Sequence, residues 1–131
     1  MKVLAAIAGP ISAKKKTNYI ITIVKRLGAE LIALHVLKNE KLTKRGDKAL
    51  SFLSKACRKA KVKVKTVLKK TDVVTAIIQT AKEEKVDLII MGADNRKVVS
   101  EWLSADVMKK TKIPAVVIPH EFKNKCKTLL F

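Results

Sequence analysis

Aromatic residues are scarce in this 131-residue chain, at 4%, so Val, Ile, Leu and Ala must supply the packing of its core. No apolar run approaches the ~20 residues needed to cross a bilayer, and membrane insertion is therefore not expected. The first apolar stretch, Val3–Ala8, is shorter than a signal-peptide core and stops at Gly9-Pro10. Export is not expected, and the cytoplasm is the expected compartment. Cys57 and Cys126 stand far apart without CxxC spacing, which argues against a zinc site and against a secreted disulfide scaffold. His35 has no second histidine at ligand spacing and is expected to be a satisfied core or rim histidine. Ser12, Ser100 and Ser104 have no base at recognisable spacing, so nucleophilic catalysis finds no support. Acidic residues are few, 11 against 29 basic ones, for a net charge of +18. Such a surplus draws polyanions (nucleic acid, acidic proteins, anionic headgroups) and bears on partners rather than on fold.

What is present is an alternation of apolar strands and amphipathic helices in a chain long enough for one full core. Lys2–Ala8 and Glu30–Leu37 are continuously apolar, as strands covered on both faces are. Between them Ile20, Ile21, Ile23, Val24 and Leu27 recur at helical spacing, with Gly28 as a stop signal. A second helical stripe, Ala49, Leu50, Phe52, Leu53, Ala56, Cys57 and Ala60, predicts a helix from Gly46 to Ala60 and places Cys57 on an inert apolar face. Lys61–Lys65 alternates with period two, and its lysines suit an edge strand that must not pair further. Thr71 or Asp72 caps a third helix with the stripe Val73, Val74, Ile77, Ile78 and Ala81. Asp87–Met91, part of Val98–Lys110 and Ile113–Ile118 complete the series as strand, helix and strand. Right-handed crossovers make this a doubly wound α/β domain, a five-stranded parallel sheet with helices on both faces. Residues 1–119 form the domain, and His120–Phe131 is a basic, then apolar, tail. Leu129, Leu130 and Phe131 are expected to dock on the fold or on a partner subunit, while Cys126 is expected to be a quiet thiol.

The run Asp87–Asn95 carries the functional signal. A buried strand breaks at Gly92 into a polar loop followed by a helix, the place where α/β proteins hold a phosphate on converging backbone N–H groups. With Thr71–Gly92 (TDVVTAIIQTAKEEKVDLIIMG), Leu34-His35-Val36 and Ile113–Pro119 in this order, the chain resembles the universal stress protein family from Met1 to Pro119. The resemblance implies an adenine nucleotide alpha hydrolase-like fold with sheet order 3-2-1-4-5, and a homodimer whose fifth strands pair antiparallel. The family's ATP-binding branch has a glycine, two residues, a second glycine, nine residues, then Gly-Ser or Gly-Thr. Here Gly92 fills the first place, Asn95 the second, and Ala105-Asp106 the final pair. An aspartate that contacts adenine in that branch aligns with Ala8. Val36, Met91 and Gly92 remain as matches.

Asn95 is the mildest change, because Asn tolerates a left-handed backbone. Ala105 adds a Cβ where a phosphate would approach. Asp106 is severe, since two like charges ~5 Å apart repel by about 3 kcal/mol at an effective dielectric near 20. The expectation is a built-in anion standing in for the outer phosphates, hence weak or absent ATP affinity and no cofactor. Lys14, Lys15 and Lys16, read as a loop after the first strand, join Arg96 and Lys97 as candidate anion ligands, although a solvated loop also accounts for them. Trp102 covers the cleft or packs in the core.

The expected function is a homodimeric binding or signalling protein of the stress response without chemical turnover, acting on an unidentified protein partner. One alternative is a nucleotide-responsive switch or weak ATPase. Another is a basic module that associates with nucleic acid through the lysines between Lys38 and Lys70. Against the latter, the one aromatic residue in that stretch, Phe52, falls on the core stripe, which leaves no ring for base stacking.

Overall fold

The computed structural model describes residues 1–7, 10–37, 43–92 and 103–118, without the side chains of 10–15, 43–46 and 103–104. Ala8, Asn95, Arg96, Lys97, Ser100, Trp102 and the tail from His120 to Phe131, Cys126 included, lie outside the described residues. The elements are β1 (Lys2–Ala6), α1 (Pro10–Arg26), β2 (Glu30–Val36), α2 (Thr43–Lys59), β3 (Val64–Lys69), α3 (Val73–Glu83), β4 (Leu88–Gly92), α4 (Leu103–Lys110) and β5 (Ala115–Ile118). The five strands form one parallel sheet in the order β3-β2-β1-β4-β5, as expected.

Alternate strand residues feed two apolar clusters. Val3, Ala5, Leu31, Ala33 and Ile90 pack under α1 and α2, with Ile21, Val24, Leu53 and Cys57. Leu4, Ile32, Leu34, Ile89 and Met91 pack under α3 and α4, with Val74, Ile77 and Val107. Burial pushes the Cys57 thiol up to about 11, which makes it the inert cysteine that the stripe implied.

Three helices end in one way. The N–H of Ala29 donates to Val24 O (3.0 Å) and that of Gly28 to Lys25 O (3.1 Å); Val62 donates to Cys57 O (2.8 Å) and Lys61 to Arg58 O (3.1 Å); Val86 donates to Ala81 O (3.1 Å) and Lys85 to Lys82 O (3.3 Å). Each pair is a Schellman motif, which needs a left-handed residue just past the helix. Gly28 (φ 62°), Lys61 (φ 60°) and Lys85 (φ 52°) supply it. The α3 N-terminus is capped by Asp72, whose Oδ2 accepts from the N–H of Thr75 at 3.0 Å; this bond first, then the Thr75 hydroxyl, holds the carboxyl below its ordinary value.

Four expectations need correction. The edge strand is Val64–Lys69, not Lys61–Lys65, because the α2 terminus consumes Lys61 and Val62 in its Schellman turn before pairing with β2 can start. α2 begins at Thr43, so Gly46 lies inside its first turns rather than marking its start. Leu27 is 44% exposed, since the chain leaves α1 at Arg26 for the Gly28 turn. Phe52 is 37% exposed and is not a core residue; Leu53 and Ala49 fill the inward face instead.

The lysines around β3 serve an edge, as expected, and three are bound to carboxylates. Lys63 pairs with Glu30 at 3.5 Å, Lys69 with Glu83 at 3.0 Å, and Lys65 with Glu84. The hydrogen bond from Lys65 is the main reason that the Glu84 carboxyl lies below its ordinary value.

Candidate functional site

Strand order reverses beside β1: β2 and β3 lie to one side of it, β4 and β5 to the other. The helices that follow β1 and β4, α1 and α4, accordingly pack on opposite faces of the sheet, and such a switch point is the usual ligand position in doubly wound sheets. Its described rim consists of buried Ile7 beyond β1, half-buried Val36 at the end of β2, buried Met91 and exposed Gly92 at the end of β4, and the first turn of α4.

Lys14, Lys15 and Lys16 are helical, in α1, rather than in a loop. Pro10 is the reason: its fixed φ and missing N–H suit the first position of a helix, so a residue that reads as part of the break after the first strand starts α1. Of the three, Lys16 is the one whose side chain is described, and it is half-buried. A Cβ added at Gly92 would collide with Lys16 Nζ and would lie 3.8 Å from Cε. The ammonium thus lies directly over the Gly92 backbone. Helical side chains lean toward the N-terminus, and the α1 N-terminus faces the rim, so Lys16 reaches across it. The signal was available in the pattern: Lys16 precedes Ile20 by four residues and Val24 by eight, on the inward stripe.

Asp106 is half-buried in the first turn of α4, and Ala105 beside it is buried. A carboxylate there is favoured by the helix dipole. Among the candidate ligands the structure joins Lys16 to Gly92 and sets Ala105-Asp106 on the following helix. Ala8, Asn95, Arg96 and Lys97 lie outside the described residues.

His35 contributes below the rim. It is buried, and its Nδ1 donates to the carbonyl of Ile7 at 2.7 Å. A carbonyl only accepts, so the proton sits on Nδ1. The Ile7 N–H donates to Leu34 O at 2.8 Å, so both backbone groups of the last described residue before Ala8 are tied to β2. This is the satisfied rim histidine that the sequence implied, with a positioning role that spacing did not reveal. Among the described residues no three His, Cys, Asp or Glu side chains are placed to hold a metal ion, and no helix is long and apolar enough to cross a membrane.

A five-stranded parallel sheet in the order 3-2-1-4-5 with helices on both faces defines a Rossmann-like α/β domain. Within that class the chain belongs to the universal stress protein family, whose sequence model matches residues 1–119. A universal stress protein from Archaeoglobus fulgidus is similar in structure, with 15% identity, a TM-score of 0.74, and coverage of 89% of this chain and 92% of that one. The universal stress protein from that organism in complex with dAMP gives 17%, 0.72, 89% and 96%. A family member from Arabidopsis thaliana with AMP bound gives 19%, 0.69, 95% and 93%. At these identities the likeness is one of fold. No curated protein matches the chain.

Proposed function

We propose that this chain is a non-catalytic binding or signalling member of its family, cytoplasmic and acting in the stress response, whose cleft takes nucleotide weakly or not at all. The supporting observation is the position of Lys16. Its ammonium fills the space over Gly92 through which a ligand would approach the β4 backbone. Asp106 adds a fixed negative charge to the first turn of α4, opposing an incoming phosphate.

Homodimer formation through β5 belongs to the same reading. Among the described residues β5 ends the sheet and pairs with β4 alone, and Ala115, Val116 and Val117 are half-buried. Such an apolar edge suits antiparallel pairing with a second copy. The unidentified protein partner would then meet a two-fold assembly.

A second reading, a nucleotide-responsive switch or feeble ATPase, starts from the same lysine. The group over Gly92 is the far end of a flexible side chain, able to swing aside and pair with a phosphate, and two structural neighbours hold dAMP and AMP. Thermal shift with millimolar MgATP, AMP and dAMP separates the readings. A ligand at 100 times its Kd stabilises by about 2.7 kcal/mol. The first reading expects no clear shift for the natural sequence and a gain for Asp106→Ser. A clear shift that Lys16→Ala abolishes would establish the second and end the first.

A further inference from the structure

The surplus positive charge is not spread evenly. From Thr43 to Lys70 the sequence holds 11 basic residues and a single acidic one, Asp47. Lys63, Lys65 and Lys69 are committed to Glu30, Glu84 and Glu83. What remains concentrates on α2. Lys48, Lys55, Arg58 and Lys59 are exposed, with Lys61 just beyond the helix end, and none of the five takes part in an ion pair among the described residues.

Lys48, Phe52, Lys55 and Lys59 follow one another at steps of four, three and four, so they form a single stripe opposite the buried face of Ala49, Leu50, Leu53 and Cys57. Phe52, 37% exposed, is thus an aromatic ring set between cations on the outer ridge. Lys48 to Lys59 spans ~16 Å of helix, and a nucleic acid strand carries about one phosphate per 3.4 Å in duplex form, closer together than the cations here. From these placements we infer that the outer ridge of α2 binds single-stranded nucleic acid, its cations on phosphates spaced along the strand and Phe52 stacked against a base. The inference is independent of the nucleotide cleft.

The ridge chemistry selects among polyanions. A lipid surface requires a row of apolar groups to enter the acyl boundary, and the apolar row of α2 is buried in the core. Acidic protein would engage the cations without a use for the ring. Sequence-tolerant binding of single strands uses the combination of cations and aromatic platform.

Fluorescence anisotropy with labelled oligo-dT or oligo-U of about 12 nucleotides, within the usual site size, tests this on the full chain across a salt series. Five phosphate contacts predict a log–log salt slope near −3.5, and Lys48→Gln/Lys55→Gln/Lys59→Gln reduces it by about 2. Phe52→Leu, which keeps apolar volume, weakens binding about fivefold or more at an unchanged slope, whereas Phe52→Tyr retains affinity. A control triple on exposed Lys109, Lys110 and Lys112 removes the same charge from elsewhere on the domain. Equal weakening by both triples would reduce the effect to net charge and overturn the inference. So would wild-type affinity in Phe52→Leu, a preference for duplex of equal length, or tighter association with phosphatidylserine vesicles than with either oligonucleotide.

Discussion

Replacing Lys61 or Lys85 with glycine is expected to stabilise this protein although each substitution deletes a side chain. Both residues hold left-handed backbone, φ 60° and 52°, to close the Schellman turns of α2 and α3. An L-residue pays ~1–2 kcal/mol there through the clash of its Cβ with the following carbonyl. Glycine escapes that cost but brings a more mobile unfolded chain, an offset of ~0.4–1 kcal/mol. The difference leaves a gain of about 0.5–1 kcal/mol per site, from the two ranges just given. Gly28, in the same turn after α1 at φ 62°, is the internal control. A Cβ there meets nothing within 4 Å, so Gly28→Ala isolates backbone strain and should destabilise by a similar ~0.5–1 kcal/mol. Lys61→Gln removes charge while keeping the strain, and should change little. The turns preceding β3 and β4 are separated by three strand spacings, ~14 Å, so the two gains should add. Urea unfolding followed by far-UV circular dichroism reads this as a rise in midpoint at constant slope, or about 3–5 °C in Tm per kcal/mol. A fall in midpoint for both lysine variants, or a neutral Gly28→Ala, would refute the reasoning.

The remaining predictions concern buried and charged groups. The Thr80 hydroxyl is buried and has no hydrogen-bond partner among the described residues, so isosteric Thr80→Val should raise stability by about 1 kcal/mol; a loss in the same urea assay would show that the hydroxyl is satisfied after all. Asp72 and Glu84 both titrate below their ordinary values, the first through the Thr75 N–H and the second through Lys65. The folded chain thus releases these protons more readily than the unfolded one. Their stabilisation is present above about pH 4–5 and is lost as pH falls through the folded-state values. Tm measured against pH should show a flatter acid limb in Asp72→Asn. Cys57, raised to about 11 by burial, should resist a thiol reagent at pH 8 in a Cys126→Ser background and react fully once urea unfolds the chain.

Much of the fold was legible because its strands are buried on both faces and announce themselves as unbroken apolar runs, as Val3–Ile7 and Leu88–Met91 do. The Asp72 cap and the inert Cys57 followed from local chemistry. Three features did not, each because the type of one residue suggests a place that its neighbours deny it. Pro10 reads as the break after a strand but begins a helix, which put Lys14–Lys16 in a loop by pattern and in α1 in fact. Val62 looks like a strand residue but is the hydrophobic contact that closes a Schellman turn. Phe52 belongs by type to the core, yet its position at the edge of the α2 stripe turns it outward. At the cleft, the motif spacing singled out Gly92, Ala105 and Asp106 as candidates, and it did not include the reach of Lys16 over Gly92.

The sheet works as a bulkhead. Side chains that pack beneath α1 and α2 come from strand positions alternate to those beneath α3 and α4. Among the described residues a packing defect at Leu53 therefore falls in a different cluster from one at Ile77, and their damage is expected to sum rather than compound. Each flank is free to drift or to be rebuilt without retuning the other, so a domain of this size evolves as two half-cores with a common wall.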